Sequence, residues 1–190
     1  MMKKRIAVFA SGGGTNAQKI FEHFEDNRDV EVTLLLCNKT SAHVLERAKN
    51  FNIPSVIFNR DDFYRSEKIL NVLQENKIDF IALAGFLWLI PKNLINAFPN
   101  KIVNIHPALL PKYGGKGMYG ENVHKAVKLA GESESGITIH LVNNNYDEGD
   151  IVEQYRCKLQ PNDDEQEIAA KVLKLEHKFY PEVIENLVLK

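Results

Sequence analysis

Apolar runs and helical periodicity alternate along this chain. Residues 5–10 (Arg-Ile-Ala-Val-Phe-Ala) form a short run that is almost wholly apolar, the pattern of a strand buried on both faces. Residues 16–24 switch period, with Ala17, Ile20, Phe21 and Phe24 on one helical face. The alternation continues. It predicts strands at 31–37, 55–58, 80–84 and 102–106, and helices at 42–50 and 63–76, the latter carrying Ile69, Val72 and Leu73. Near-continuous apolar strands separated by helices indicate a parallel sheet covered on both faces.

Beyond residue 106 the pattern changes. A glycine-rich loop at 113–120 precedes a predicted helix at 122–130. Two strands of alternating character follow, at 136–142 and 151–159, joined by a loop rich in Asn, Asp and Gly at 143–150. The last helix begins at Asp163 or Asp164, either of which can cap it, with acids in its first turn. Ile168, Val172, Leu175 and Phe179 form its apolar stripe, and Pro181 should kink or interrupt it. The expected fold is α/β: a Rossmann-like open, twisted, mostly parallel sheet with helices on both faces and an antiparallel C-terminal strand extension. No internal repeat, low-complexity tract or linker divides the 190 residues, so one domain over 1–190 is expected.

Composition narrows the partners. The hydrophobic fraction is 44% and the charged fraction 26%, ordinary for a globular chain able to bury a core without disulfides or a metal. A formal net charge of -1 gives no basic excess for nucleic acid. The basic start at Met1–Arg5 is followed by too short an apolar stretch for a secretory leader. The longest apolar run, 78–90, contains Asp79 and is too short to span a bilayer. No membrane partner and a cytoplasmic location are expected. Cys37 and Cys157 sit in apolar, strand-like contexts and read as buried thiols.

The chemistry concentrates at 104–115, Asn-Ile-His-Pro-Ala-Leu-Leu-Pro-Lys-Tyr-Gly-Gly. Period-2 geometry places Asn104 and His106 on one side of a strand that Pro107 ends. An amide able to donate to an oxyanion and an imidazole able to carry a proton therefore face the same way. A second feature, Ser11-Gly12-Gly13-Gly14-Thr15-Asn16, joins the first strand to the first helix. It fits neither a G-x-G-x-x-G fingerprint nor a P-loop, and by itself is as consistent with tight packing as with an anion site. The segment 84–90, Ala-Gly-Phe-Leu-Trp-Leu-Ile, reads as strand-end packing or as an apolar slot for a flat heterocycle. Asp147 and Asp150 in the 143–150 loop read by default as turn residues, and Glu176 as a solvated helix acid. No His/Cys/Asp/Glu cluster has metal-ligand spacing, so no metal is expected.

Residues 104–111 resemble the Asn-Ile-His-Pro-Ser-Leu-Leu-Pro signature of the folate-dependent formyltransferases, and the likeness extends over nearly the whole chain. The resemblance implies Asn104, His106 and Asp147 as the catalytic set, with Asp147 raising the His106 pKa. Gly14, Thr15 and Asn16 match the family's phosphate-holding loop. Glu176, in Glu-His-x-x-Tyr-Pro, matches a ribose-binding acid. Leu87, Trp88, Leu89 and Ile90 match the segment that holds the pterin of 10-formyltetrahydrofolate, with Trp88 where Arg is common. Asn104 also faces that co-substrate. Arg65, with Arg60 second, is the candidate for an Arg that touches it. The N-terminal half would serve phosphate and nucleotide, and the C-terminal half folate and catalysis.

The implied reaction is formyl transfer to the amine of 5'-phosphoribosylglycinamide in purine synthesis, by a monomer or homodimer, without nucleic acid, membrane or metal. The alternatives are another folate formyl enzyme, whether a 10-formyltetrahydrofolate hydrolase or a methionyl-tRNA or sugar formyltransferase, and a silent folate- or nucleotide-binding module. The tRNA enzymes carry an extra C-terminal domain and a basic surface, and the hydrolase an N-terminal regulatory domain. Neither is expected here.

Overall fold

A computed structural model describes residues 2–190. Seven strands form one sheet: β1 (Lys4–Ala10), β2 (Val30–Cys37), β3 (Ser55–Ile57), β4 (Phe80–Leu83), β5 (Ile102–His106), β6 (Glu134–Leu141) and β7 (Ile151–Lys158), in the order β3-β2-β1-β4-β5-β6-β7. β1 to β5 run parallel to one another, and β6 and β7 add antiparallel at the β5 edge. The helices are α1 (Thr15–Phe24), α2 (Val44–Asn50), α3 (Arg60–Tyr64), α4 (Lys68–Glu75), α5 (Lys92–Ala97), α6 (Glu121–Leu129) and α7 (Glu165–Val188).

Side-chain alternation splits the core in two. On β1, Ile6, Val8 and Ala10 join one cluster with residues of α1, α2, α6 and α7. Ala7 and Phe9 join the other with Phe63, Ile69, Leu73 and Leu94 from α3, α4 and α5. Each face of the sheet is thereby covered, which explains why β1 and β4 carry almost no polar side chains. Cys37 and Cys157 lie on β2 and β7, five strand positions apart or roughly 24 Å, far beyond disulfide reach. Cys37 is buried and Cys157 only partly so. Among the described residues no helix is long and apolar enough to cross a membrane.

Two expectations need correction, and one helix was not foreseen. The helix expected over 63–76 is two helices. Phe63 and Ile69 both bury in the same cluster, yet six helical residues would set them about 240° apart. The chain turns between them, while Asn59 and Asp62 form a capping box that starts α3 earlier. α5 was not legible: its six residues bury only Leu94, too little for a period. Pro181 does not interrupt α7, which runs on for 24 residues. Burial on both sides of the proline outweighs the lost hydrogen bond. Tyr180, wholly buried, directs its hydroxyl at the carbonyls of Leu83 (2.8 Å) and Val103 (3.1 Å), fastening α7 to β4 and β5.

Tyr180→Phe keeps the ring and removes this fastening. It should destabilise the fold by about 1–2 kcal/mol, read as a lowered urea midpoint with an unchanged slope.

Candidate active site

The chain leaves β1 toward β2 and β3, and leaves β4 toward β5. Between strands that depart in opposite directions a crevice opens at their carboxyl ends, the usual ligand position in such sheets. Its two lips are tied together. The Ser11 N–H donates to the Gly85 carbonyl (3.1 Å), and the Leu87 N–H donates to the Ser11 hydroxyl (3.2 Å). The glycine loop and the 84–90 segment thus meet at one place. From there a cleft of about 580 Å3 runs along the ends of β4 and β5.

Asn104 and His106 both line this cleft, as the period of β5 requires. His106 is almost fully buried. Its Nε2 donates to the Tyr113 carbonyl (2.7 Å), and its Nδ1 lies 3.4 Å from Asp147 Oδ2. Two acceptors flanking one ring suit an imidazolium. Burial acts against the charge and prevails: it holds the His106 pKa below its usual value despite Asp147 and the Tyr113 carbonyl, which raise it. The raised pKa expected from Asp147 alone is therefore corrected.

Asp147 takes a left-handed backbone (φ 57) that turns its carboxylate back into the site. The 147–149 segment needs glycine at its end, because a Cβ on Gly149 would stand 1.6 Å from the Leu141 carbonyl oxygen. Burial pushes the Asp147 carboxyl up. His140, the His106 charge and the Gly115 N–H (3.0 Å) outweigh it and hold the group below its usual range.

His140 is the residue that sequence reasoning undervalued. It lies directly opposite Asn104 in the β5–β6 register and is almost fully buried. Its Nδ1 donates to the Leu141 carbonyl (3.0 Å), and its Nε2 lies within hydrogen-bond distance of Asn104 Nδ2 (3.2 Å). Asp147 Oδ1 stands 3.6 Å away. One carboxylate thus faces two histidines. Its closeness to the Asp147 loop is visible in the sequence, but its place opposite Asn104 follows from the register, which a single sequence does not display. His124, also buried, lines the same cleft, and burial lowers its pKa.

At the far end Asn16 Nδ2 donates to Glu176 Oε2 (2.7 Å). Glu176 is only 8% exposed, so the solvated-acid default fails. It falls on the line Ile168, Val172, Glu176, Tyr180, a four-residue spacing that puts an acid inside the buried stripe of α7. That spacing was a usable signal in the sequence. Burial raises its pKa against the Asn16 hydrogen bond. Gly14 and Thr15 do not line the cleft, whereas Asn16 does.

A formyl transferase family model matches residues 4–184. The chain belongs to the formyl transferase family. It is 45% identical over 188 residues to the chloroplastic phosphoribosylglycinamide formyltransferase of Arabidopsis thaliana, covering 96% of this chain but 64% of that protein. With the Bacillus subtilis phosphoribosylglycinamide formyltransferase it shares 38% identity, over 97% of this chain and 95% of the relative. Glycinamide ribonucleotide transformylase 1 from Geobacillus kaustophilus superposes with a TM-score of 0.88 at 37% identity, covering 98% of this chain and 100% of that one. The chain thus spans less than two thirds of the plant relative and nearly all of the bacterial ones.

In this member of the formyl transferase family Leu87, Trp88, Leu89 and Ile90 line the cleft. Arg65 does not: its side chain is 80% exposed and pairs with Asp61 (3.1 Å). Arg60 is not in the lining either, but its guanidinium lies 5.0 Å from the ring centroid of Trp88, which is. Tyr64 adjoins Trp88 and donates to the Leu89 carbonyl (3.0 Å). Leu87–Ile90 come from the first half and Glu176 from the second, and both line one cleft. Among the described residues no group of three or more His, Cys, Asp or Glu is placed to hold a metal ion.

The electrostatics set a titration order. His106 should titrate below about 6.5 in the folded chain. Because the folded value is depressed, its share of stability is intact above the unfolded value and is withdrawn as pH falls through it. Asp147→Asn removes a charge that raises the His106 pKa, so it should lower that pKa further. Imidazole proton shifts followed by NMR against pH check both signs.

Proposed function

We propose that this chain transfers a formyl group from 10-formyltetrahydrofolate to the primary amine of 5'-phosphoribosylglycinamide. The supporting observation is the convergence of Asn104, His106 and Asp147 on the cleft that also holds Asn16 and Glu176, in a member of the formyl transferase family. Both groups of ligand atoms find suitable chemistry. The wall formed by Phe86, Trp88 and Ile90 suits a flat heterocycle. Asn16 Oδ1 is buried without a hydrogen-bond partner among the described residues, an acceptor available to a ribose hydroxyl, and Glu176 is a second. The glycine loop before α1 suits the 5'-phosphate.

In the reaction the amine nitrogen bonds to the formyl carbon, the bond from that carbon to N10 of the folate breaks, and one proton passes from the first nitrogen to the second. The co-substrate supplies the formyl carbon and the leaving nitrogen. Asn104 Nδ2 has two hydrogens, and one is engaged by His140, so the other is free for the developing oxyanion. His106 is the second donor. Its Nε2–H is committed here to the Tyr113 carbonyl, so that carbonyl must let go before His106 can meet the oxyanion. Asp147 stabilises the protonated ring in that interval and takes part in moving the proton. The 113–120 loop carries both Tyr113 and Gly115, and its closure over substrate is coupled to this exchange of partners.

Formation of deformylated folate should require both 10-formyltetrahydrofolate and the ribonucleotide, followed spectroscopically. Formation without the ribonucleotide would indicate a hydrolase, and binding without turnover a silent module. His106→Ala should lower kcat by about 10²–10³-fold while ligand affinity stays within a few-fold. Undiminished turnover would refute the assigned mechanism.

Arg60 and Arg65 are separated by their effect on the folate. Arg60→Ala should raise the KM for the folate by about 5-fold, the worth of roughly 1 kcal/mol at a cation–aromatic contact. Arg65→Ala should leave it unchanged.

A further inference from the structure

The glycine loop is held from behind by a residue outside the cleft. Arg47, on α2, donates from Nε to the Gly13 carbonyl (2.7 Å) and from Nη1 to Gln18 Oε1 on α1. One turn earlier the Val44 N–H donates to the Gly12 carbonyl (3.1 Å). Val44 also fills the space beside Gly14, where a Cβ would stand 2.3 Å from Val44 Cγ2, and Gly14 has φ +73. α2 therefore grips two consecutive carbonyls of the loop.

A trans peptide is planar, with its C=O and N–H opposed. Pinning the Gly12 and Gly13 carbonyls toward α2 turns the N–H groups of Gly13 and Gly14 away from it. Gly12 and Gly13 are exposed, and nothing lies within 4 Å of the position a Cβ would take on either. The ten-residue helix α1 follows and adds the positive end of its dipole. Among the described residues Arg47 makes no salt bridge. Arg47, Lys19 and Glu22 all act on His177, whose Nε2 is buried without a hydrogen-bond partner, and Glu22 pairs with Lys19 (2.5 Å).

We propose that Arg47 is the positioning residue of the phosphate cradle. It holds the Gly13 carbonyl so that the following N–H groups face the 5'-phosphate, and it places a positive charge behind them. The proposal rests on the reading that this loop receives the phosphate of the ribonucleotide.

The test compares 5'-phosphoribosylglycinamide with its dephosphorylated riboside, in wild type, Arg47→Ala and Arg47→Lys, with melting temperatures measured alongside. Arg47→Ala should raise the KM for the ribonucleotide by 10-fold or more. It should leave the KM for 10-formyltetrahydrofolate and the kcat/KM for the riboside within 2-fold. Arg47→Lys should recover part of the loss. Inorganic phosphate should compete with the ribonucleotide in wild type and at least 10-fold more weakly in Arg47→Ala. Equal losses on both substrates, or a lowered melting temperature with no change in ribonucleotide KM, would overturn the role of Arg47 and leave the phosphate reading standing. If wild type itself used riboside and ribonucleotide equally well, the phosphate reading would fall, and this proposal with it.

Discussion

The active cleft depends on the antiparallel docking of β6 against β5. Had β6 continued the parallel order, His140 would not stand opposite Asn104, and the loop after β6 would not return over His106. The register sets Asn104 against His140 and His106 against Thr138. The Thr138 hydroxyl then donates to the Ala108 carbonyl (2.7 Å) and accepts from the Leu110 N–H (2.9 Å), fixing the segment after the strand. One strand pairing therefore orients the amide, the imidazole and the chain that follows them. A register slip of one residue would turn all of these side chains to the opposite face.

Within that frame the local electrostatics are in deliberate tension. Asp147 and the Tyr113 carbonyl invite a proton onto His106, while burial removes the water that would solvate it. The result is a ring whose charge is disfavoured by burial but which is supplied with the partners of its charged form. Such a group gains most from a new negative charge nearby, because an oxyanion adds attraction without further desolvation. The same burial acts on Asp147 but loses, since two histidines and a backbone N–H converge on that carboxylate. The two groups thus divide the roles, one a fixed charge and the other a titrating one.

Much of this was legible in the sequence. Strand and helix order followed from the alternation of period, and the shared face of Asn104 and His106 from the pleat alone. What escaped has physical reasons. The break between α3 and α4 depends on which core each apolar residue joins, and local spacing does not encode it. α5 is too short to show a period, and Pro181 survives inside α7 because tertiary packing offsets a local penalty. His140 needed a register. Glu176 is the instructive case, because its position on the Ile168–Val172–Tyr180 line was visible and pointed inward. Arg60 and Arg65 could not be separated by spacing, since a helix boundary lies between them and Trp88 decides which one is engaged.

α7 links the two ends of the cleft. Its Tyr180 hydroxyl reaches the carbonyls of Leu83, the last residue of β4, and of Val103 in β5, the strand that carries Asn104 and His106. One turn earlier its Glu176 holds Asn16 at the start of α1, beside the glycine loop. A rigid helix rises about 6 Å over four residues, so the distance between the two attachments is fixed by geometry. A substrate anchored by its phosphate and ribose at one end would present its amine at a set distance from Asn104 and His106 at the other. Attack geometry tolerates little error, and a shift of about 1 Å can cost 10²-fold in rate. An uninterrupted α7 is therefore more than packing. The proline that ought to break it is buried among the contacts that keep this helix a single ruler.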